Sequence, residues 1–325
     1  MQNIPVFTIS LDFELYWGIF DKVPLKDRYQ YFENTRKVIP QMLHLFEQEQ
    51  VHVTWATVGM LFANDWPDWS ALAPAEKPAY SNKKLSAYSQ QELHGKAELE
   101  PYFFAPELVK KVADTPYQEM ATHTFSHYYC KEPGQTVNQF RSDIRAAKHV
   151  AARIGAPMRS LVFPRNQYNQ DYLKVCFEEG ITSVRSNPKD WFWQDTVEDK
   201  FLNKVFRTGD GYLPLGQRAS FPLSSLTKEP NLPLSIPASR FLRPVGSKSI
   251  LNKLRLKRIL SEMSEAAKRK ECYHLWWHPH NFGGYPEQSM ADLKVIIGHY
   301  KKLQKEYDMV SMTMQEIYEY VEGNR

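Results

Sequence analysis

The chain has 325 residues, 42% of them hydrophobic and 24% charged, so it can bury a full core and its composition is not that of a disordered protein. Lys and Arg number 41 against 37 Asp and Glu, and the net charge of +4 is too small to predict nucleic-acid binding. With three widely spaced cysteines, no signal-like start and no apolar run of membrane length, the sequence predicts a cytoplasmic protein without a transmembrane segment.

Short apolar segments alternate with amphipathic ones along the chain. This alternation is typical of βα units arranged around a parallel sheet or a barrel. We expect strands at residues 5–11, 51–58, 120–124, 160–163, 181–184, 272–277 and 309–312, and helices at residues 34–50, 137–154, 170–179, 249–270 and 289–306, with a last helix at the C-terminus.

Two segments interrupt this alternation. Residues 64–106 are long and rich in Trp, Tyr and Phe, and this aromatic content predicts an ordered lid rather than a disordered loop. Residues 194–245 carry several spaced prolines and are predicted to be a second insertion. We therefore expect a single domain over residues 1–325 with two insertions.

The first predicted strand ends in Asp12-Phe13-Glu14. Side chains alternate along a strand, so Asp12 and Glu14 point the same way while Phe13 packs on the other face. Two crowded carboxylates repel each other unless a cation or a shared proton relieves them. The simpler alternative is a solvated strand end.

Histidines occur twice at a spacing of four, as His123 with His127 and as His274 with His278. Two imidazoles, one carboxylate and an open position for water form the ligand set of a hydrolytic metal centre. The spacing is weak support by itself because it occurs twice. His274 and His278 would lie far apart on a strand, with only His278 near its carboxyl end. His280 is then either a partner of the site or a surface residue.

Arg165 and Asp190 each follow a predicted strand. An arginine in that place can pair with a carboxylate and hold it ionised, although a surface arginine is the ordinary alternative. Asp190 with Trp191 offers a carboxylate beside an aromatic side chain. An ordinary aspartate in a loop is an equally good explanation of Asp190. All these polar residues fall at the carboxyl ends of predicted strands, where catalytic groups gather in α/β barrels.

In this order the segments resemble those of the polysaccharide deacetylase family, the NodB-homology group of carbohydrate esterase family four. That family has an aspartate pair after the first strand, then His-Ser/Thr-x-x-His, Arg-Pro-Pro-Tyr, Asp-Trp and Leu-x-x-His. This chain departs from the pattern in Asp12-Phe-Glu14 and in losing both prolines of the third motif. The matching segments, within about residues 8–314, are His123-Thr-Phe-Ser-His127, Arg165-Asn-Gln-Tyr168, Asp190-Trp191 and Leu275-Trp-Trp-His278.

The resemblance implies an α/β fold, a distorted (β/α) barrel of the NodB type. It implies a metal-dependent hydrolase that removes an acetyl group from an N-acetylated sugar. Glu14, His123 and His127 would hold a divalent metal, expected to be zinc. Asp12 would be the base, an assignment made by order in the motif, and the altered motif leaves open which acid binds the metal.

The resemblance also implies roles for the later motifs. Arg165 would keep Asp12 ionised, and His278, tuned by Asp190, would act as the general acid. A backbone amide near Tyr128 would meet the oxyanion. Four aromatic residues are expected to contact the sugar, namely Tyr128, Tyr168, Trp191 and Trp277.

The expected partner is an acetylated carbohydrate, either a surface-polysaccharide precursor or an oligosaccharide. The basic helix at residues 249–270 allows peripheral contact with anionic lipid or with a substrate diphosphate, although basic helix faces are mostly solvated. Three alternatives stay open: an O-acetyl esterase, a metal-independent amidohydrolase on the same barrel, and a sugar-binding module with a degraded site.

Overall fold

The structure, a computed structural model, describes residues 2–89, 93–188, 190–194, 201–212, 216 and 219–324. All the pairings between strands within these residues are parallel, and one isolated antiparallel bridge joins Phe221 to Cys272. The predicted α/β class is therefore confirmed. The nine strands in the described residues are β1 Val6–Phe13, β2 Val53–Thr57, β3 Gln118–Thr122, β4 Ser160–Leu161, β5 Ser183–Ser186, β6 Leu234–Pro237, β7 Arg240–Phe241, β8 Cys272–Trp277 and β9 Val310–Ser311.

The strands lie in the order β6-β5-β4-β3-β2-β1-β8-β7, and β9 pairs with β1. Only Ala238 and Ser239 separate β6 from β7. Their amides donate to the carbonyl oxygens of Ser186, at the end of β5, and His274, in β8. One bent segment thus joins the two ends of the sheet, and the sheet curls into the expected distorted (β/α) barrel, which is confirmed.

Helices follow most of the strands and cover the outside of the sheet. The predicted helices at residues 137–154, 170–179, 249–270 and 289–306 are present within three residues of their expected ends. The helix expected at residues 34–50 begins earlier, at Tyr29, because the buried Phe32 extends its apolar stripe toward the N-terminus. The helices are α1 Tyr29–Gln48, α2 Trp66–Leu72, α3 Glu100–Phe103, α4 Pro106–Asp114, α5 Val137–Ala152, α6 Gln170–Glu178, α7 Trp191–Gln194, α8 Phe201–Asp210, α9 Ser249–Arg269, α10 Pro286–Tyr307 and α11 Met314–Gly323.

Strand β1 runs through the middle of the sheet, and all eight of its residues are buried. Its side chains Phe7, Ile9, Leu11 and Phe13 belong to the main hydrophobic core, together with residues of α1 and α10. The alternate side chains Thr8, Ser10 and Asp12 are 0–3% exposed. Because side chains alternate along a strand, these three line the inside of the barrel. The interior is therefore polar at the end that carries Asp12.

The aromatic segment 64–106 is ordered over its described residues. Trp66 and Trp69 lie in α2 and pack against Phe103 in α3 and against Trp17, which follows β1. Trp17 also donates through Nε1 to the carbonyl oxygen of Phe103 at 2.7 Å. These rings are buried in the main core, so they stabilise the loop after β1 instead of offering faces to a sugar.

Residues 194–245 were expected to be an insertion outside the strand pattern. In the structure this segment contributes β6 and β7, the two strands that close the sheet. Both are short, and Pro233 and Pro237 lie at the bounds of β6, so the sequence shows no clear alternation there. The single-domain boundaries stay a prediction.

The basic helix is present as α9, but its charges divide between two faces. Arg255 is buried and pairs with Asp292 of α10, whereas Lys253 and Lys257 are exposed. Among the helices in the described parts of the chain, none is long and apolar enough to cross a bilayer. Peripheral membrane contact and a cytoplasmic location stay predictions.

Candidate active site

The end of β1 and the residue that follows it place two acidic side chains at one end of the barrel. Asp12 is 3% exposed and Glu14 2%. Arg185, on β5, donates to both carboxylate oxygens of Asp12, at 2.7 and 2.8 Å, and to Oγ of Ser10 at 3.0 Å. Burial opposes the ionisation of Asp12, but the Arg185 guanidinium holds the pKa of that carboxyl below its usual value. Asp12 is therefore an ionised carboxylate.

The prediction that Arg165 keeps Asp12 ionised is wrong, because Arg185 occupies that place. The Arg165 guanidinium pairs with Asp21 and, at 3.5 Å, with Glu132, and it lies 4.0 Å from the centre of the Tyr129 ring. Arg165 has a left-handed backbone with φ 53°, so the chain turns sharply after β4. A signal for Arg185 was present in the sequence, since it directly follows the strand expected at residues 181–184, just as Arg165 follows the strand expected at residues 160–163.

Glu14 lies beyond the end of β1 among four imidazole rings. Its Oε2 is 3.3 Å from Nε2 of His123 and 3.1 Å from Nε2 of His127. Its Oε1 is 3.0 Å from Nε2 of His280 and 3.6 Å from Nε2 of His278. Burial opposes the ionisation of Glu14, but the surrounding imidazoles hold its pKa well below the usual range. The structure thus joins the predicted carboxylate and histidine pair at one place.

The loop that carries the histidine pair is held from α5. His123 follows β3 directly, and His127 has a left-handed backbone with φ 55°. The buried carboxylate of Asp143 accepts hydrogen bonds from the amides of Phe125 and Ser126 and from the Ser126 hydroxyl. Burial nevertheless raises the pKa of Asp143 to about 6. Sequence reasoning missed this residue, which fixes the backbone between the two histidines.

The hydrogen bonds of His123 determine how its ring faces Glu14. Its Nδ1 lies 2.9 Å from the carbonyl oxygen of Val162. A carbonyl only accepts, so Nδ1 carries the hydrogen and the neutral ring presents the lone pair of Nε2 to Glu14. Oε2 of Glu14 is buried and receives no hydrogen bond. Two acceptors in contact need a cation or a proton between them, and the imidazole and carboxylate ligands suit zinc. The residues present therefore fit a divalent cation.

His278 is the most accessible of the four histidines around Glu14. Its side chain is 24% exposed, and its Nε2 lies 3.6 Å from Oδ2 of Asp12. Burial lowers the pKa of His278 to about 4, although the carboxylates of Glu14 and Asp12 oppose this shift. The prediction that Asp190 tunes His278 is not supported, because no hydrogen bond or ion pair joins these two described residues. Asp190 instead packs against Gly216.

Tyr128 does not face the site. Its side chain is fully buried, and its hydroxyl donates toward Gln135 and the carbonyl oxygen of Thr136. Its amide donates to Oγ1 of Thr124 at 2.7 Å. The prediction that Tyr128 contacts the sugar is therefore wrong, because its side chain is buried inside the protein. The amide of Tyr128 itself is already bonded, and the expectation that a backbone amide near Tyr128 meets the oxyanion stays a prediction.

Trp277 was also expected to contact the sugar, and this prediction is wrong. Its ring is 0% exposed and stacks on Phe282 among the helices. The neighbouring Trp276 lies at the site instead, with its ring centre 5.8 Å from that of His278 and 4.2 Å from the Arg185 guanidinium. Strand alternation alone gives this answer, since His274, Trp276 and His278 must share a face.

The two remaining aromatic predictions differ in outcome. Tyr168 lines a cavity of about 430 Å³ together with Ser186 and Pro237, the last residues of β5 and β6. It therefore stays a candidate for substrate contact. The backbone of Trp191 belongs to α7, but its side chain lies outside the part of the chain that the structure describes.

His274 lies deeper in the barrel and is separate from the site. Its Nε2 is 2.8 Å from Oγ of Ser10, and its Nδ1 is 3.0 Å from the carbonyl oxygen of Pro237. Burial, reinforced by the Arg185 charge, lowers the pKa of His274 to about 3. The sequence interpretation that only the later member of this histidine pair reaches the site agrees with these positions.

Lowering the pH from 7 to 5 is expected to remove about 2 kcal/mol of folding stability through His274 alone. The unfolded ring has a pKa near 6.5 and the folded ring about 3, so the unfolded state binds more protons in this interval and stability falls as the pH falls. Urea unfolding at both pH values measures the loss. In His274→Asn, whose amide nitrogen can replace Nδ1, the loss should be smaller by that amount, and an equal loss in both proteins contradicts the prediction.

A larger cavity, of about 720 Å³, opens beside the loop after β1. Asp21 in its wall pairs with Arg165, which packs on the Tyr129 ring. The Tyr129 hydroxyl lies 3.1 Å from Nδ1 of His127. A continuous set of contacts thus connects the cavity to the histidine pair. Among its other lining residues are Tyr16, Tyr29, Lys22, Lys26 and Lys84.

Comparison with protein families gives a match to the model described as polysaccharide deacetylase, over residues 16–184, more than half of the chain. The matched range contains His123, His127 and Arg165. Asp12 and Glu14 precede it, and Arg185 follows it directly. A search of curated proteins gives no match.

Solved structures similar to this chain share its fold at low sequence identity. A Mycobacterium smegmatis protein assigned as a polysaccharide deacetylase is 13% identical, with a TM-score of 0.63 over 99% of this chain and 91% of its own. A probable polysaccharide deacetylase from Pseudomonas aeruginosa is 11% identical, with a TM-score of 0.58 over 97% and 90%. An allantoinase is 10% identical, with a TM-score of 0.58 over 98% and 91%. These likenesses support the barrel fold.

Proposed function

Because the chain belongs to the polysaccharide deacetylase family, we propose that it removes an acetyl group from an N-acetylated sugar with a divalent cation held by Glu14, His123 and His127. The chain is a hydrolase that acts on carbon–nitrogen bonds. The observation that carries the proposal is the buried Oε2 of Glu14, which no hydrogen bond reaches and which two imidazole nitrogens face.

The cation that we propose is zinc. Two imidazoles and one carboxylate form a common catalytic zinc set, in which a fourth position stays open. The His123 and His127 rings are held through their Nδ1 atoms, which leaves both Nε2 atoms directed at the same space. When bound, a divalent cation supplies Lewis acidity, which lowers the pKa of water and polarises a carbonyl group.

Asp12 is the base in this proposal. Arg185 keeps Asp12 ionised, and Oδ2 of Asp12 lies beside His278. Asp12 removes a proton from the attacking water, whose oxygen bonds to the acetyl carbon. His278, whose Nε2 lies 3.6 Å from Oδ2 of Asp12, takes up this proton and gives it to the sugar nitrogen as the carbon–nitrogen bond breaks. The second proton of the water also ends on the nitrogen, so the products are acetate and a protonated amino sugar, and atoms and charge balance.

For the substrate we propose an acetylated oligosaccharide or a surface-polysaccharide precursor. The cavity of about 720 Å³ is large enough for sugar residues and is connected to the histidine pair through Arg165 and Tyr129. Trp276, which packs beside His278, gives the site an aromatic wall. Tyr168 lines a second cavity at the same end of the barrel.

Removing metal is expected to lower acetate release from N-acetylglucosamine oligosaccharides by at least about 100-fold, because Lewis acidity contributes several kcal/mol and each 1.36 kcal/mol is tenfold in rate. Acetate is measured before chelator dialysis, after it, and after one equivalent of zinc is restored. Unchanged circular dichroism of the dialysed protein is the control for folding.

The same assay separates the alternatives. Full activity in the metal-free protein contradicts the proposal and favours a metal-independent amidohydrolase. Faster release from O-acetylated than from N-acetylated sugars favours an esterase. Sugar binding without acetate release, although metal is bound, favours a binding module.

A further inference from the structure

We infer that His280, oriented by Tyr31, is a positioning residue that directs the second oxygen of Glu14 toward the cation site. The inference rests on the proposed function, because it concerns how one ligand of that cation is held. Neither His280 nor Tyr31 belongs to the motifs that carry the family resemblance.

Tyr31, His280 and Glu14 form a linear set of hydrogen bonds. The Tyr31 hydroxyl, on α1, is 2.8 Å from Nδ1 of His280, and Nε2 of His280 is 3.0 Å from Oε1 of Glu14. An ionised carboxylate only accepts, so Nε2 carries the ring hydrogen. Nδ1 of the neutral ring then accepts from the Tyr31 hydroxyl, whose pKa burial raises. Tyr31 thus donates to His280, and His280 donates to Glu14.

The two oxygens of Glu14 differ in their surroundings. Oε1 receives the hydrogen bond from His280, whereas Oε2 is buried with no hydrogen bond and faces His123 and His127. Ligating carboxylates are usually hydrogen-bonded through the atom that is not on the metal. His280 therefore fixes one oxygen and leaves the other for the cation.

Gly18 lies close against the same carboxylate. A Cβ at Gly18 would lie 1.9 Å from Oε1 of Glu14, so no larger residue fits there without moving the carboxylate. This support is needed because Glu14 has one more rotatable bond than an aspartate, and a free side chain would lose more entropy on binding a cation. Gly18 and His280 together select one orientation of Glu14.

A second cation between Glu14, His278 and His280 is the main competing explanation, since ligand atoms of these three residues also lie within 4.8 Å of one another. The hydrogen bonding argues against it. Nε2 of His280 already donates its hydrogen to Oε1, whereas neither His123 nor His127 donates to Oε2. Only the set of Glu14, His123 and His127 therefore leaves a carboxylate oxygen without a hydrogen bond.

Zinc affinity of the full metal-free chain tests the inference, measured by competition with a chromophoric chelator. His280→Leu is expected to weaken zinc binding 10- to 100-fold, the usual effect of losing a partner of a metal ligand. His280→Gln, whose amide nitrogen can donate from the position of Nε2, should recover most of this loss. Tyr31→Phe should weaken binding by a smaller factor. Tyr117→Phe, at the opposite end of the barrel, is the control and should bind as the natural chain does.

The number of bound ions and the affinities give distinct outcomes. Wild-type affinity in both His280→Leu and Tyr31→Phe overturns the positioning role while leaving the proposed function intact. Two zinc ions in the natural chain and one in His280→Leu also overturn it, in favour of the second cation. A natural chain that binds no zinc overturns the proposed cation site itself. If His280→Leu does not fold, Gly18→Ala replaces it, and an affinity as high as that of the natural chain again contradicts the inference.

Discussion

Replacing His127 by alanine is expected to remove the bound cation and to lower acetate release by about 10³-fold or more. In the proposed site the imidazole is one of three protein ligands. The Lewis acidity lost with the cation would contribute several kcal/mol, and each 1.36 kcal/mol is tenfold in rate. Zinc content by atomic absorption and acetate release are measured on the same preparation, because the prediction is that both fall together.

His44→Ala is the matched control. His44 is exposed on α1 and lies in neither histidine pair, so its removal should change neither quantity. Loss of zinc from His127→Ala with full retention of activity would contradict the proposed mechanism. Retention of zinc with loss of activity would instead give His127 a role in the reaction other than as a ligand.

Replacing Arg185 by lysine is expected to lower kcat/KM about 100-fold and to move the acidic limb of its pH profile upward by about one pH unit. Lysine keeps the charge but cannot make two parallel hydrogen bonds to Asp12, so the proposed base is less well positioned. Losing one charge-assisted hydrogen bond costs about 1.5 kcal/mol, and one pKa unit corresponds to about 1.4 kcal/mol. Because Arg185 holds the pKa of Asp12 down, its loss raises that pKa, and activity disappears at a higher pH as the pH falls.

Arg165→Lys distinguishes the two arginines. Arg165 pairs with Asp21 and Glu132 and not with Asp12, so this variant should leave the acidic limb in place even if substrate binding changes. An upward shift in Arg165→Lys, with none in Arg185→Lys, would reverse the assignment. Zinc content should be unchanged in both variants, which separates these effects from loss of the cation.

The sequence predicted the positions of the main strands well because those signals are local. The apolar runs before Asp12 and His123 each lead directly into a polar residue at a strand end, and parallel strands bring such ends together. The strands β6 and β7 were missed because they are short, flanked by prolines and stabilised by pairing with β5 and β8 rather than by their own pattern.

Errors at the site came from two sources. Choosing Trp277 over Trp276 overlooked alternation, since His278 shares a face with Trp276. Choosing Arg165 over Arg185 could not be avoided by motif order alone, because the left-handed turn at Arg165 and the position of β5 beside β4 decide which guanidinium enters the barrel. His280 was left between two interpretations, and only its distance to Glu14 resolves them.

By itself the sequence determined that Asp12 and Glu14 could carry the chemistry, because strand alternation predicts that they share a face and residue type fixes what they can bind. The tertiary structure decided which side chains act on these two carboxylates. Arg185 and Asp12 are 173 positions apart, and His280 and Glu14 are 266 apart. Contacts over such separations depend on how the sheet closes, and no local propensity encodes that closure.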